Sequence, residues 1–596
     1  MDRTGSSRRT FMAGAAAVGG AAALTTTGMT AASAAEGAER SGAAAGQSVA
    51  VLGGGVAGLT AAHELAERGF QVTVYERRAL GGKARSMDVP DSAKGGRRPL
   101  PAEHGFRFIP GIYHNLPDTM RRIPFPGNAN GVWDNLVAPP EMSFARTGRE
   151  DLRIPLPWPG HQGADLTLDD VRRALTALLD TALGIPVHET AYFVNRGLVF
   201  LTSCDERRDG AWERTPWWDF IRAGRMSYDY QRVLAVGLTR NIVATKAEEA
   251  STRTVATLLE AFVFNALGRG ADGPLDRILN APTNEAWIDP WVGHLTGLGV
   301  DFRVGWTVRE VKYGAGKVAA VVIEDPQGSP RTVSADHYVS AMPVEHARRT
   351  WGAELRAADP QLARCDKLET DWMTGIQFYL TERAPLLHGH LNCIDSPWSL
   401  TAIQQAGHWP SRDFPADYGD GVAVDCLSVD VSEWDRPGIL YGKTAKQCTR
   451  AEVAREVWAQ LKAALNDTGR TVLKDGALHS WFLDPGVDGL GTPHPTNEDQ
   501  LLVHPVGTFH NRPQAATRIP NFYLSGDYVR VDIDLATMEG ANASARAAVN
   551  ALLDRVGSPA ARCSVKPLFR APEIELLKRG DRVRHRLGLR NAFDLG

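Results

Sequence analysis

The sequence predicts an α/β protein, and three stretches of it carry that expectation. Ser48 to Leu52 is a short β-branched strand that runs into a glycine turn, a helical pattern and a second strand. In mid-chain, Thr307-Val308-Arg309-Glu310-Val311 and Val318 to Ile323 form the halves of a hairpin, and Ala335 to Pro343 follows as a further strand. Near the end, Asn521 to Leu524 is a strand entering Ser525-Gly526-Asp527, and Thr537-Met538-Glu539-Gly540-Ala541 opens an alanine-rich helix. Strands alternating with helices favour a sheet covered by helices.

The first stretch is the most informative. Gly53-Gly54-Gly55-Val56-Ala57-Gly58 follows the strand directly, a helix runs to about Gly69, and Gln71 to Tyr75 leads to Glu76, eighteen residues past Gly58. This is strand, G-x-G-x-x-G, helix, strand and acid in the order of a Rossmann-type dinucleotide-binding unit. Gly53 permits the tight turn, Gly55 lets a pyrophosphate approach the backbone, and Gly58 brings helix and strand together. The helix start at Val56 and Ala57 offers unpaired N–H groups and a positive dipole end to the phosphates. Glu76 is placed to accept hydrogen bonds from a ribose, and Arg77 beside it joins the same site. The unit alone does not separate FAD from NAD.

Leu80-Gly81-Gly82-Lys83-Ala84-Arg85-Ser86 resembles the glycine-doublet motif of the flavin amine oxidase and phytoene desaturase superfamily. In that superfamily the backbone and an Arg lie along the phosphates and ribityl chain. The stretch around Gly526-Asp527 resembles its second flavin signature, which implies that Asp527 bonds the ribityl or pyrophosphate portion. The helix at Met538 and Ala541 would then point its positive end at the flavin pyrimidine. Residues 307–343 resemble the middle Rossmann segment, with the backbone of Val308 at adenine and Ala341 among the cofactor contacts. The resemblance implies FAD, held by a Rossmann-type domain built from three separated segments and interleaved with an α+β substrate domain of mixed sheet plus helices. The FAD-binding segments are expected over 48–118, 281–348 and 496–555, with substrate segments over 119–280 and 349–495 and a tail over 556–596.

Within the superfamily, Glu103-His104-Gly105-Phe106-Arg107 through Leu116 is similar to a stretch of carotenoid desaturases and of bacterial hydroxysqualene dehydroxylases. Pro282 to Trp291 and Ser396 to Thr401 support the same group, and the likeness spans residues 48–572. Arg107 stands where the desaturases usually carry His. Gly105 and Phe106 are expected at the flavin. Glu103, His104 and Arg107 are the candidate catalytic residues, one as acid/base or Arg107 as a charge stabiliser. The competing reading for Glu103 is a structural carboxylate paired with Arg107. Amine oxidases commonly place an aromatic residue shortly before the last flavin helix, and Val531 to Ala536 has none, although Tyr528 is near. Trp217 and Trp218, in an aromatic-rich helical stretch, and Trp398 and Gln404, in a loop, are candidate substrate contacts. The competing reading for each is helix-packing core.

The expected activity is desaturation, dehydrogenation or dehydroxylation of an extended apolar substrate, isoprenoid or polyene-like, with oxygen or a quinone as electron acceptor. An amine or amino-acid oxidase is the first alternative, and a non-redox isomerase or lipid-binding protein the second. A formal charge of −3 over 596 residues gives no basic excess for nucleic acid. Six scattered cysteines, with no C-x-x-C pair, suggest neither a metal site nor a disulfide framework. His388-x-His390 lacks an apparent third ligand, so no metal is expected. Arg8-Arg9 before an Ala/Gly run and Ala32-Ser33-Ala34 resemble a twin-arginine signal over 1–34, with a flexible leader over 35–47. Export to the cell envelope or beyond is therefore expected. Six Lys/Arg and several aliphatics between Ile574 and Arg590 allow peripheral membrane contact, against the plainer reading of a solvated surface helix.

Overall fold

The computed structural model describes residues 46–156, 167–180, 184–386 and 389–594. The expected signal over 1–34, the leader up to residue 45 and His388 lie outside the described residues. Five parallel strands form the first sheet, in the spatial order Phe522–Leu524, His337–Ser340, Ser48–Leu52, Gln71–Glu76, Asp301–Val304. Its central strand is buried from Val49 to Leu52, as a parallel strand covered on both faces requires. Three widely separated segments supply the sheet. The fifth strand, Asp301–Val304, was not among the expected elements. It is an edge strand with two of its four residues charged, so no apolar run marks it.

Helix Val56–Ala66 and helix Met538–Arg555 pack together against the sheet, pinned by Asn542 Nδ2 donating to Thr60 Oγ1 and Thr119 Oγ1 at 2.9 Å. Thr307–Gly314 and Lys317–Glu324 pair antiparallel, with Pro330–Val333 as a third strand. The boundary expected at residue 349 falls early. Trp351, Leu355, Leu362 and Leu368 bury into the core of the dinucleotide domain, so the chain leaves that domain some twenty residues later.

The second sheet has seven strands in the order Leu478–Leu483, Thr374–Leu380, Asp425–Val431, Thr401–Gln404, His390–Cys393, Glu141–Ala145, Leu152–Pro155. It is antiparallel except where His390–Cys393 runs beside Glu141–Ala145. One face carries Ile376, Phe378, Leu427, Val429 and Val431, which pack on Val453, Val457 and Leu461 of helix Arg450–Leu465. A capping box fixes where that helix starts: Thr449 Oγ1 accepts from the Glu452 N–H and the Glu452 carboxylate accepts from the Thr449 N–H.

Helices Leu168–Asp180, Val187–Leu201 and Thr252–Ala266 make a third layer. The segment expected as a tail packs onto it. Asp581 of helix Glu575–Arg586 accepts from Arg207 Nε and Nη2 at 2.9 and 3.0 Å, both partners being buried. All six cysteines are buried and free.

Candidate active site

A cavity of about 1350 Å³ runs between the two sheets and into the helical layer. Single-ligand pockets span roughly 300–1,000 Å³, so this one has room for a cofactor and a second molecule. Gly53, Gly55, Val56 and Ala57 line one end, with Glu76, Arg77, Gly82, Lys83, Ala84 and Arg85 across from them. Val308, Ala341, Gly526, Asp527, Met538 and Ala541 complete that end, so all three separated segments reach it. Gly58 does not line the cavity. A Cβ there would sit 1.9 Å from the Gly53 carbonyl oxygen, so this glycine sets the spacing between helix and turn.

The backbone forms a cradle where side chains would intrude. Gly53 has φ +112°, and a Cβ on it would lie 2.8 Å from the Ala341 carbonyl oxygen. Gly82, at φ +55°, passes so close to Gly55 that a Cβ would lie 2.9 Å from the Gly55 Cα. The helix starting at Val56 has no side-chain cap, leaving its first N–H groups to a phosphate. Glu76 holds the turn from the other side: Oε2 accepts from the Gly54 N–H and Oε1 from the Arg78 N–H, each at 2.8 Å. A carboxylate so oriented presents its remaining lone pairs to ribose hydroxyls.

Charges around this end form one network. Lys83 Nζ donates to Glu345 at 3.0 Å and to the Gln500 carbonyl. Burial opposes charge on Lys83, but Glu345 and Asp527 outweigh it and hold the ammonium above its ordinary range. Burial also opposes ionisation of Asp499, yet His104, Arg78, Lys83 and Arg85 hold its carboxyl well below the usual range. Arg77 and Arg78 both pair with Glu498 and Asp499. Cations beside a helix N-terminus and a glycine cradle suit a pyrophosphate, and the residues present fit FAD.

The middle of the cavity is bounded by His104, Gly105, Phe106 and Arg107. His104 Nδ1 pairs with Asp484 Oδ2 at 2.7 Å. Arg107 lies beside the Met538 sulfur, at 3.9 Å, and donates to the Gly105 carbonyl. Glu103 lies off the main cavity. It accepts from Thr283 Oγ1 at 2.8 and 2.9 Å and from Arg107 Nε at 3.3 Å, which is the geometry of a structural carboxylate. Beyond this point Phe144, Phe193, Leu234, Leu258, Phe262 and Val263 make the walls apolar.

The four candidate substrate contacts do not reach the cavity. Trp217 is 1% exposed, stacks on Phe220 and donates from its indole to the Leu234 carbonyl. Trp218 packs at the edge of the same helical core. Trp398 is fully buried beneath the seven-stranded sheet, its indole N–H on the Arg436 carbonyl. Gln404 has the parity of Ala402, opposite to that of Thr401, and bonds Asp425 at 2.6 Å on that side. Cavity residues that sequence reasoning missed are Asn241, Asn392, Thr401 and Asp430, and His390, weighed there only as a metal ligand, also lines the cavity. The available signal was an acid and a serine alternating with apolar residues in Leu427-Ser428-Val429-Asp430-Val431. Among the described residues His63, Glu67 and His294 approach one another, but His63 accepts from the Trp291 indole and bonds Glu67, which uses both ring nitrogens.

Comparison with known proteins agrees with this geometry. The family model for flavin containing amine oxidoreductases matches residues 56–553. Carotenoid phi-ring synthase of Streptomyces griseus is 28% identical over 530 residues, covering 86% of this chain and 88% of that protein. Zeta-carotene desaturase of Synechocystis is 24% identical over 540 residues, 85% and 97% of the two chains. In fold, the chain is similar to putrescine oxidase (TM-score 0.56, 13% identity, 86% and 99% covered) and to an oxidoreductase from Methanosarcina mazei (TM-score 0.54, 14% identity, 84% and 98% covered). The protein is thus an FAD-dependent oxidoreductase, and its chain belongs to the flavin containing amine oxidoreductase family.

Proposed function

We propose that this protein removes hydrogen from, or dehydroxylates, an extended apolar substrate of isoprenoid or polyene type. The observation that carries the reading is the apolar part of the cavity, walled by Phe144, Phe193, Leu258 and Phe262, in the same space of about 1350 Å³ that Arg107 and Met538 line. Bound FAD supplies the hydride acceptor that no side chain offers. The chain's own part is to orient the substrate along these walls, exclude water and hold charge steady with Arg107. The similarity to carotenoid enzymes supports the same substrate class. Tyr528, the aromatic residue that stood nearest to an amine-oxidase arrangement, is fully buried and absent from the cavity walls, which disfavours an amine.

The test is anaerobic mixing of the FAD-loaded protein with polyene or squalenoid substrates and, separately, with amines. Bleaching of the flavin band by the apolar substrates supports the reading. Bleaching by amines alone overturns it. Reoxidation with oxygen and with a quinone then identifies the electron acceptor.

Two further parts of the reading concern location. The twin-arginine pattern at Arg8-Arg9 supports export, and replacing both with Lys should retain the protein in the cytoplasm. Peripheral membrane contact is supported by helix Glu575–Arg586 and the turn after it. Leu576, Val583 and Leu587 are 76%, 60% and 69% exposed at helical spacing, flanked by exposed Arg579, Arg586 and Arg590. Failure to sediment with anionic vesicles would remove that part. No helix among the described residues is long and apolar enough to cross a membrane.

A further inference from the structure

The central strands of the seven-stranded sheet are buried on both faces, and such strands are normally apolar on both. Here one face is mainly apolar, with a Gln404–Asp425 pair on its central strands, and the other carries a run of polar side chains. In strands Thr374–Leu380 and Asp425–Val431 every residue is buried, yet alternate positions carry Gln377, Ser428 and Asp430. The register aligns Asp430 with Thr401 and Thr401 with Asn392 on neighbouring strands, so three polar side chains stand in one row across the sheet. His390, two residues before Asn392, shares their face.

This row forms part of the cavity wall. Four polar residues in this part of the wall each keep a polar atom without a hydrogen-bond partner in the protein. Asp276, fully buried, bonds His390 Nδ1 at 2.6 Å, which fixes the ring, while His390 Nε2 has no partner in the protein. Asn241, from the helical layer, donates to Asn392 Oδ1 at 2.5 Å and keeps its own Oδ1 unpartnered. Thr401 Oγ1 and Asp430 Oδ1 are unpartnered as well. All four residues are more than nine-tenths buried. Leaving a buried polar atom unpaired costs about 1–3 kcal/mol. Four such atoms beside the apolar part of the cavity point to a ligand, or to displaceable water, that completes their bonds. None of the four lies on a strand or helix of the dinucleotide domain, and Asp430 packs against Gly105, so that end of the row adjoins the cofactor end of the cavity.

We propose that this polar row binds one oxygen function, a hydroxyl or a carbonyl, of an otherwise apolar substrate, making the substrate an oxygenated isoprenoid or lipid alcohol rather than an all-hydrocarbon polyene. The inference rests on the apolar-substrate reading above and narrows it. A hydroxyl both donates and accepts, which matches a row offering Thr401, Asn241 and His390 together with a carboxyl group. Phe106 and Phe108, with ring centroids 4.8 and 5.2 Å from that of His390, close the row off on the apolar side.

The test titrates the full-length FAD-loaded protein with geranylgeraniol and with the hydrocarbon of the same skeleton, reading perturbation of the flavin spectrum. The alcohol should bind about tenfold tighter or better, the effect of one or two net hydrogen bonds. Thr401→Val and Asn241→Leu should each pull that ratio towards one while leaving hydrocarbon binding unchanged. The flavin spectrum and thermal midpoint of each variant report that it has folded, and either variant suffices. Equal binding of alcohol and hydrocarbon by the wild type overturns the inference but leaves the apolar-substrate reading standing, as does a variant that weakens both ligands equally. If neither ligand perturbs the spectrum and amines do, both fall.

Discussion

Asp430 is buried against Gly105, near Arg107 and Glu103, and this has a measurable consequence. Burial pushes its carboxyl up to about 7, with Glu103 adding to the rise and Arg107 and the Phe106 N–H opposing it. Glu103 is also raised by burial, but Arg107 and three contacts from Thr283 oppose that rise, so the proton is assigned to Asp430. In the unfolded chain an Asp titrates near 3.8. Between these values the folded protein holds a proton that the unfolded chain has lost, so stability falls as pH rises. The effect is fully present below 3.8 and gone above about 7. Roughly three pH units at about 1.4 kcal/mol each give about 4 kcal/mol, of which about 3 kcal/mol falls between pH 5 and 8. Asp430→Asn removes the proton and the slope. Denaturant unfolding of both proteins at several pH values should show the wild type losing about 3 kcal/mol relative to the variant from pH 5 to 8. Infrared difference spectra should show a protonated carboxyl band at pH 5 that fades above pH 7. A wild-type-minus-variant difference independent of pH, or no such band at pH 5, refutes the reasoning.

Gly53→Ala places a side chain at φ +112° and 2.8 Å from a backbone oxygen, a strain of about 1–3 kcal/mol before the contact is counted. Its flavin-to-protein absorbance ratio should fall, and full flavin occupancy would contradict the cradle. Asp534→Ala leaves the buried Arg512 without its carboxylate and takes one of two from the part-buried Arg253, a loss of about 3–5 kcal/mol, which a lowered thermal midpoint should report. His504 accepts the Ala536 N–H just before the flavin helix, and burial with Arg512 pushes its imidazole down to about 3. The unfolded chain gains a proton near 6.5 that the folded protein refuses, so this contribution is complete above 6.5 and is lost as pH falls towards 3. The His504 ring resonances should therefore not titrate between pH 5 and 8.

The cofactor end of the cavity was readable because its requirements are local. A turn at positive φ or a backbone passing another backbone demands glycine at that position, and Gly53, Gly58 and Gly82 stand where those demands fall. The substrate end was not readable for the opposite reason. Asp430, Thr401 and Asn392 meet only through strand register, and Asn241 joins them from another layer. Tryptophans misled for a third reason. Trp217 and Trp398 each bury a large ring and satisfy the indole N–H on a backbone carbonyl, which makes them core residues. Gln404 turned on parity alone, one position from the cavity face.

The strand order of the first sheet has a consequence in time. Ser48–Leu52 pairs with His337–Ser340, and that strand pairs in turn with Phe522–Leu524. A ribosome must synthesise nearly five hundred residues after the glycine turn before the last strand exists to dock. Contacts this distant in sequence form late and slowly. Until they form, the nascent first strand carries an open, apolar edge. The seven-stranded sheet is complete once Leu483 has been made, so it and the helices before it can fold ahead of the last strand and act as a frame that brings the separated strands together. A chaperone or FAD acting on the nascent chain would therefore meet its target only near the end of synthesis, and truncation before Phe522 should abolish flavin binding outright.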